Sequence, residues 1–199
     1  MNIRPIRVLL ILTGGLLDDG VTSWAKQIFS AMNHSSLVLE IIAWEDTKPE
    51  IIKEFSNLGF IVKIIPSRRN HFGTYIKELN RILKNNHYNI VHVCGSSAIM
   101  SFELMLSRCA GVEMRISHSH NTTCSHKLAD KILRPLLYAS ATDYLACGIE
   151  AGKWLFDKKN FTIIPNGKNL SEYSFSPQKR RTYRNSLGLS AENIAIGHI

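Results

Sequence analysis

Apolar residues run in short unbroken stretches along most of this chain, and stretches of helical period separate them. RVLLILT (Arg7–Thr13) is almost continuously apolar, as a parallel strand covered on both faces requires. Glycines follow it, then a helical pattern over Val21–Met32. LVLEIIAW (Leu37–Trp44) and FIVKIIP (Phe60–Pro66) read as the next strands. Between them lies a helix over Pro49–Leu58, opened by its proline and closed by Gly59. Tyr75, Leu79, Ile82 and Leu83 recur at helical spacing within Gly73–Asn86. NIVHVCG (Asn89–Gly95) and EMRISHSH (Glu113–His120) are strands on either side of a helix over Ala98–Ala110. Helices over Lys127–Ala141 and Ile149–Phe156 flank the strand TDYLACG (Thr142–Gly148), and FTIIPNG (Phe161–Gly167) is a further strand.

Strands alternating with helices of this length predict an α/β fold with a doubly wound, parallel, Rossmann-like sheet. Ligands of such sheets bind outside the carboxyl ends of the strands, so the segments after each strand are where chemistry is expected. The texture changes after Gly167. SPQKRRTYRNSLGLSAEN (Ser176–Asn193) is polar and basic, and reads as an exposed helix and a linker. IAIGHI (Ile194–Ile199) is a new apolar run, either an edge of the same sheet or the first strand of a second domain.

The composition changes this picture little. At 45% hydrophobic and 20% charged, the 199 residues can bury a sizeable core, which excludes wholesale disorder. A formal net charge of +8 predicts attraction to something anionic, without choosing among nucleic acid, lipid headgroups and phosphorylated substrates. The four cysteines, Cys94, Cys109, Cys124 and Cys147, form no C-x-x-C pair and read as reduced thiols of a cytoplasmic protein. The basic start and apolar Val8–Leu12 read as a buried strand and not a signal peptide, because no A-x-A-like site follows. No stretch approaches the roughly 20 apolar residues of a membrane span.

Three segments after strands carry candidate chemistry. In TGGLLDDGVTSW, Gly14, Gly15 and Gly20 lie between a strand and a helix, where backbone can approach a phosphate at the helix N-terminus. The spacing is neither G-x-G-x-x-G nor a Walker loop, and Asp19 reads equally well as a plain N-cap. In VCGSSA, Ser96 or Ser97 reads as the cap of the next helix, with ligand contact as the other reading. RISHSHNTTCSHK places His118, His120, Cys124 and His126 within nine residues. His118 and His120 share a strand face. A zinc site from these four is disfavoured, because zinc frameworks bring together ligand pairs across a long loop. Neutral imidazoles contacting a hydroxyl-rich ligand, and histidines serving only a strand end, stay open. The basic runs RRNH (Arg68–His71) and KRRTYR (Lys179–Arg184) read first as solvated faces, then as attractors of phosphate or anionic membrane. No nucleic-acid-binding motif is present, so nucleic acid is not an expected partner.

The ordered set DGVTSWAKQIF, NIVHVCGSSA, RISHSHNT, YLACGIEAGKWLF and FTIIPNGKNL resembles the bacterial GT-B glycosyltransferases of family 4, in the capsular and exopolysaccharide branch. The resemblance covers about 190 residues and implies the N-terminal, acceptor-side half of a GT-B fold. It implies transfer of a hexose from a nucleotide-diphosphate sugar to a glycan or lipid-linked glycan, with retention and without a metal or other cofactor. The basic surface on the acceptor side fits peripheral docking to anionic membrane at the inner face. By the same resemblance His118 and His120 are catalytic, and Gly15, Asp19, Gly20, Ser96, Ser97, Asn121, Asn166 and Gly167 bind substrate. Residues 1–170 would be the Rossmann-like domain, 171–193 a basic linker, and 194–199 the first strand of a missing donor-binding domain. On that division the isolated chain is expected to be inactive. An acceptor-binding subunit of a split enzyme and the remnant of a frameshifted gene are the alternatives. Cys94 stands where this branch often has histidine, and Lys168-Asn169 replaces its usual apolar–acidic pair.

Overall fold

A computed structural model describes residues 5–157, 159–190 and 192–197. The chain divides into two compact units, Met1–Gly167 and Lys168–Ile199.

The first unit is the expected doubly wound parallel sheet. Its strands are β1 (Ile6–Leu12), β2 (Leu37–Trp44), β3 (Ile61–Ile65), β4 (Ile90–Gly95), β5 (Met114–Ser119), β6 (Asp143–Ala146) and β7 (Thr162–Ile163). They lie in the order β3-β2-β1-β4-β5-β6-β7, all parallel, so the winding reverses between β1 and β4. Helices α1 (Gly20–Ala31) and α2 (Pro49–Asn57) cover one face. There Trp24, Phe29 and Phe55 pack on Val8, Leu10 and Leu12. Helices α3 (Phe72–Asn86), α4 (Ser101–Cys109), α5 (Lys127–Ser140) and α6 (Ile149–Phe156) cover the other. There Tyr75, Leu104, Leu137 and Leu155 pack with Leu9, Ile11, Val91 and Val93. Alternate residues of β1 thus feed opposite cores, which is why its sequence is apolar throughout.

One charge is buried near the amino ends of the strands. Glu40 of β2 is fully buried and accepts from Arg7 Nη2 at 2.5 Å and from Tyr88 Oη at 2.7 Å. Lys63 Nζ stands 3.4 Å away.

Two elements of the first unit differ from the sequence reading. The helix expected over Ala98–Ala110 begins as a 3-10 turn, Ala98–Met100, before α4. The strand expected over Phe161–Gly167 shortens to Thr162–Ile163, with Ile164 N still donating to Ala146 O at 2.9 Å. Pro165 follows and has no N–H to continue the ladder.

The second unit holds a 3-10 turn over Leu170–Tyr173 and helix α7 (Pro177–Ser186), capped by Ser176 Oγ accepting from Lys179 N at 3.2 Å. Residues 194–197 form no strand, and the last two residues of that expected element lie outside the described residues.

Candidate functional site

A cavity of about 360 Å³ opens at the carboxyl ends of β1 and β4, where the winding reverses. This is the place where open α/β sheets bind ligands. Three loops build it.

The loop after β1 contributes Gly14, Gly15 and Asp19. Gly15 has φ +84°, and a Cβ there would stand 2.7 Å from the Trp44 ring, so both conformation and space demand glycine. Asp19 caps α1 by accepting from Thr22 N at 2.8 Å. The loop after β4 contributes Gly95, Ser96 and Ser97. Neither serine caps the turn that follows. That role falls to Asp130 of α5, whose Oδ1 accepts from Ala98 N at 2.7 Å while Oδ2 pairs with Arg134. Trp154 Nε1 donates to Ser96 O at 3.2 Å. The loop is therefore held from beneath, and both serines line the cavity. The loop after β5 contributes Asn121, Cys124 and His126. Asn121 Oδ1 accepts from Thr122 N at 2.8 Å, leaving Nδ2 to donate.

A second cavity of about 420 Å³ shares Thr13, Gly14, Arg68, Ile99 and His126 with the first and adds Arg69. Arg68 is already engaged, donating from Nε to Glu103 Oε1 at 2.6 Å and from Nη2 to Ile99 O at 3.2 Å. Arg69 is exposed and offers a cation at this rim.

The structure thus gathers Gly15, Asp19, Ser96, Ser97 and Asn121 around one cavity. Gly20, which opens α1, stands outside its lining, as do Asn166 and Gly167 beyond the edge strand β7. Sequence reasoning missed Thr13 and Gly95, and weighed His126 only as a metal ligand. A Cβ on Gly95 would meet Thr13 Oγ1 at 2.6 Å. Only a register pairing β1 with β4 reveals that contact.

His118 and His120 share a side of the sheet as the period-two reading expects, with ring centroids 4.0 Å apart. That side lies beneath the cavity, against α1. Trp24 packs edge-on to His92, His118 and His120 at 5.8, 4.7 and 4.7 Å. His118 is wholly buried, and its Nδ1 is 3.1 Å from His92 Nε2, so it reaches no ligand in this conformation. Burial holds all three imidazoles neutral. His92 is pushed down to about 3 and His118 to about 2, each helped by neighbouring histidines, and His120 to about 4 against the pull of Asp19. The buried Nε2 atoms of His118 and His120 and the Nε1 of Trp24 have no hydrogen-bond partner. The four residues considered for zinc are not brought together, since Cys124 and His126 line the cavity and His118 lies under it. The donor atoms that do converge belong to His92, Cys94 and His118, within 4.8 Å of one another.

No family model matches the chain. It is similar to the Bacillus subtilis (strain 168) protein described as "Putative glycosyltransferase EpsF", with 26% identity over all of this chain and 55% of that protein. The chain spans about half the length of this curated relative. In fold it is similar to Anabaena Alr3699/HepE in complex with UDP and glucose, with a TM-score of 0.65 and 12% identity over 92% of this chain and 50% of that one. It is also similar to S. aureus MnaA with UDP, with a TM-score of 0.58 and 9% identity over 94% and 52%.

Proposed function

We propose that this chain is the acceptor-side half of a glycosyltransferase, with the cavity between the β1, β4 and β5 loops as its sugar cleft. The observation that carries this reading is the convergence of Gly15, Ser96, Ser97 and Asn121 on one cavity at the switch point of the sheet. The similarity to a relative described as a glycosyltransferase supports it. A nucleotide-diphosphate sugar is the proposed donor, in keeping with the UDP and glucose bound by a protein of similar fold.

The chemistry follows from the lining. Two hydroxyls and the Asn121 carboxamide can donate to sugar hydroxyls or phosphate oxygens. Arg69 and the loop amides would offset charge gathering on the leaving diphosphate without a metal. His118, wholly buried, then supports the floor, while the half-buried His120 beside Asp19 keeps the role in the cleft expected of it. The finer reading is a retaining hexosyltransferase of family 4, extending a glycan or lipid-linked glycan in capsule or exopolysaccharide synthesis. Residues 168–199 are read as the approach to a donor-binding domain. Among the described residues no helix is long and apolar enough to cross a membrane. The exposed basic face of α7 suits docking on an anionic cytoplasmic membrane surface.

Calorimetric titration with UDP-glucose, with the C-terminal domain of a related glycosyltransferase added to parent and variant alike, tests the cleft. The combined variant Ser96→Ala, Ser97→Ala, Asn121→Ala removes three donors at about 1 kcal/mol each and should weaken sugar-nucleotide binding roughly 100-fold. Equal affinity in the parent and a folded variant would remove the cavity from the reaction.

A further inference from the structure

Beneath the cleft floor, β4 and β5 hold a donor set that sugar transfer does not use. His92 and Cys94 are two residues apart on β4 and share a face, and the register sets Cys94 beside His118 of β5. All three are buried. His92 Nε2 and His118 Nδ1 lie 3.1 Å apart, with ring planes inclined by 16°. Two nitrogens bound tetrahedrally to one ion at about 2.0–2.1 Å stand roughly 3.3 Å apart, close to this spacing, and a change of tautomer that opens the hydrogen bond would free both lone pairs. Burial, which disfavours charge on the imidazoles, also pushes the Cys94 thiol well above its usual range, so the thiolate forms only as the ion binds. The ligand nitrogen of His118 is Nδ1, which faces His92, and the Nε2 of the same buried ring has no partner.

We propose that His92, Cys94 and His118 form a binding site for a thiophilic d10 cation, Zn2+ or Cu+, directly below the sugar cleft. One thiolate and two imidazoles are the donors such ions favour, and the set contains no carboxylate oxygen for Mg2+ or Ca2+. On binding, the Cys94 S–H bond breaks, the sulfur keeps the electron pair to form the metal–sulfur bond, and the proton passes to solvent. Cu+ with one thiolate makes a neutral buried complex, whereas Zn2+ leaves one positive charge. Cys94 is also among the residues that line the cavity, though it is buried. Bound there, the ion would clasp β4 to β5 just below the points where the Ser96–Ser97 and Asn121 loops leave the sheet.

The full chain, reduced and stripped with a chelator, is titrated with Zn2+, with Cu+ and with Co2+ as an optical reporter of thiolate ligation. The expected result is one ion bound per chain, about one proton released per ion, and a thiolate-to-cobalt charge-transfer band. That band should vanish in Cys94→Ala. It should persist in the triple variant Cys109→Ser, Cys124→Ser, Cys147→Ser, in which Cys94 is the remaining thiol. Where Cys94→Ala fails to fold, the triple variant decides alone. No saturable binding by the parent chain, or no cobalt band in the triple variant, overturns the site. Tighter binding of Cu+ or of Zn2+ identifies the ion.

Discussion

Two buried polar clusters lie near opposite ends of one sheet and on opposite faces, and they are satisfied to very different degrees. Near the amino ends, both oxygens of Glu40 are engaged, by Arg7 on one side and by Tyr88 and Lys63 on the other, while the buried Nε of Arg7 has no partner. Near the carboxyl ends, His92, His118, His120 and Trp24 crowd together, and three of their buried nitrogens have no partner. A buried group that is fully answered is accounted for by folding. One that is left unanswered costs stability, and calls for a reason outside folding. The carboxylate is answered near the amino ends of the strands, and the imidazoles are left short near the end where the cavity opens.

The contrast breaks first at Glu40. Replacing it by alanine leaves the Arg7 and Lys63 cations beside a cavity and the Tyr88 hydroxyl unpaired. Stability should fall by about 3–5 kcal/mol, seen as a lower urea midpoint at unchanged slope. A midpoint like that of the parent would mean that this cluster contributes nothing, and the comparison would lose one side.

Acid sharpens the other side. The histidine values are depressed in the fold, so between the ordinary value near 6.5 and the folded values of about 4 and below, the unfolded chain holds more protons. Stability is therefore fully present above about pH 6.5 and falls as pH drops below it. Between pH 6.5 and 5.5 each histidine should withdraw about 1 kcal/mol, and the three together about 3 kcal/mol. Unfolding midpoints of the metal-free chain measured across that window check it. A flat profile would show that the imidazoles are hydrated and that the cluster is not dry.

How far the sequence foretold these two regions follows from which forces are local. The strands were legible because each is an apolar run buried on both faces, and Leu37–Trp44 is observed with the ends expected of it. The cap of the turn after β4 was not legible, because Asp130 lies 32 residues beyond Ala98 and reaches it only through packing of α5. The shared face of His118 and His120 was legible from period two. Which side of the sheet that face occupies was not, since His92 and Trp24 meet it through strand register and helix packing. Gly15 was legible as a glycine of the turn after β1, but its steric reason, Trp44, comes from a neighbouring strand.

The smallest effect is the most discriminating. In the double variant His92→Phe, His118→Leu both partners of the one histidine hydrogen bond are replaced together by apolar groups, so no donor is stranded by the change. Removing both partners at similar volume is close to neutral. At pH 7.5 the metal-free variant should match the parent within about 1 kcal/mol, against the larger loss at Glu40. Below pH 6.5 it should lose two thirds of the parent's acid sensitivity, because only His120 of the three still titrates between folded and unfolded states. A loss of several kcal/mol at pH 7.5 would show instead that the stacked imidazoles are structural in their own right, as Glu40 is, and that the two ends of the sheet differ in pattern but not in purpose.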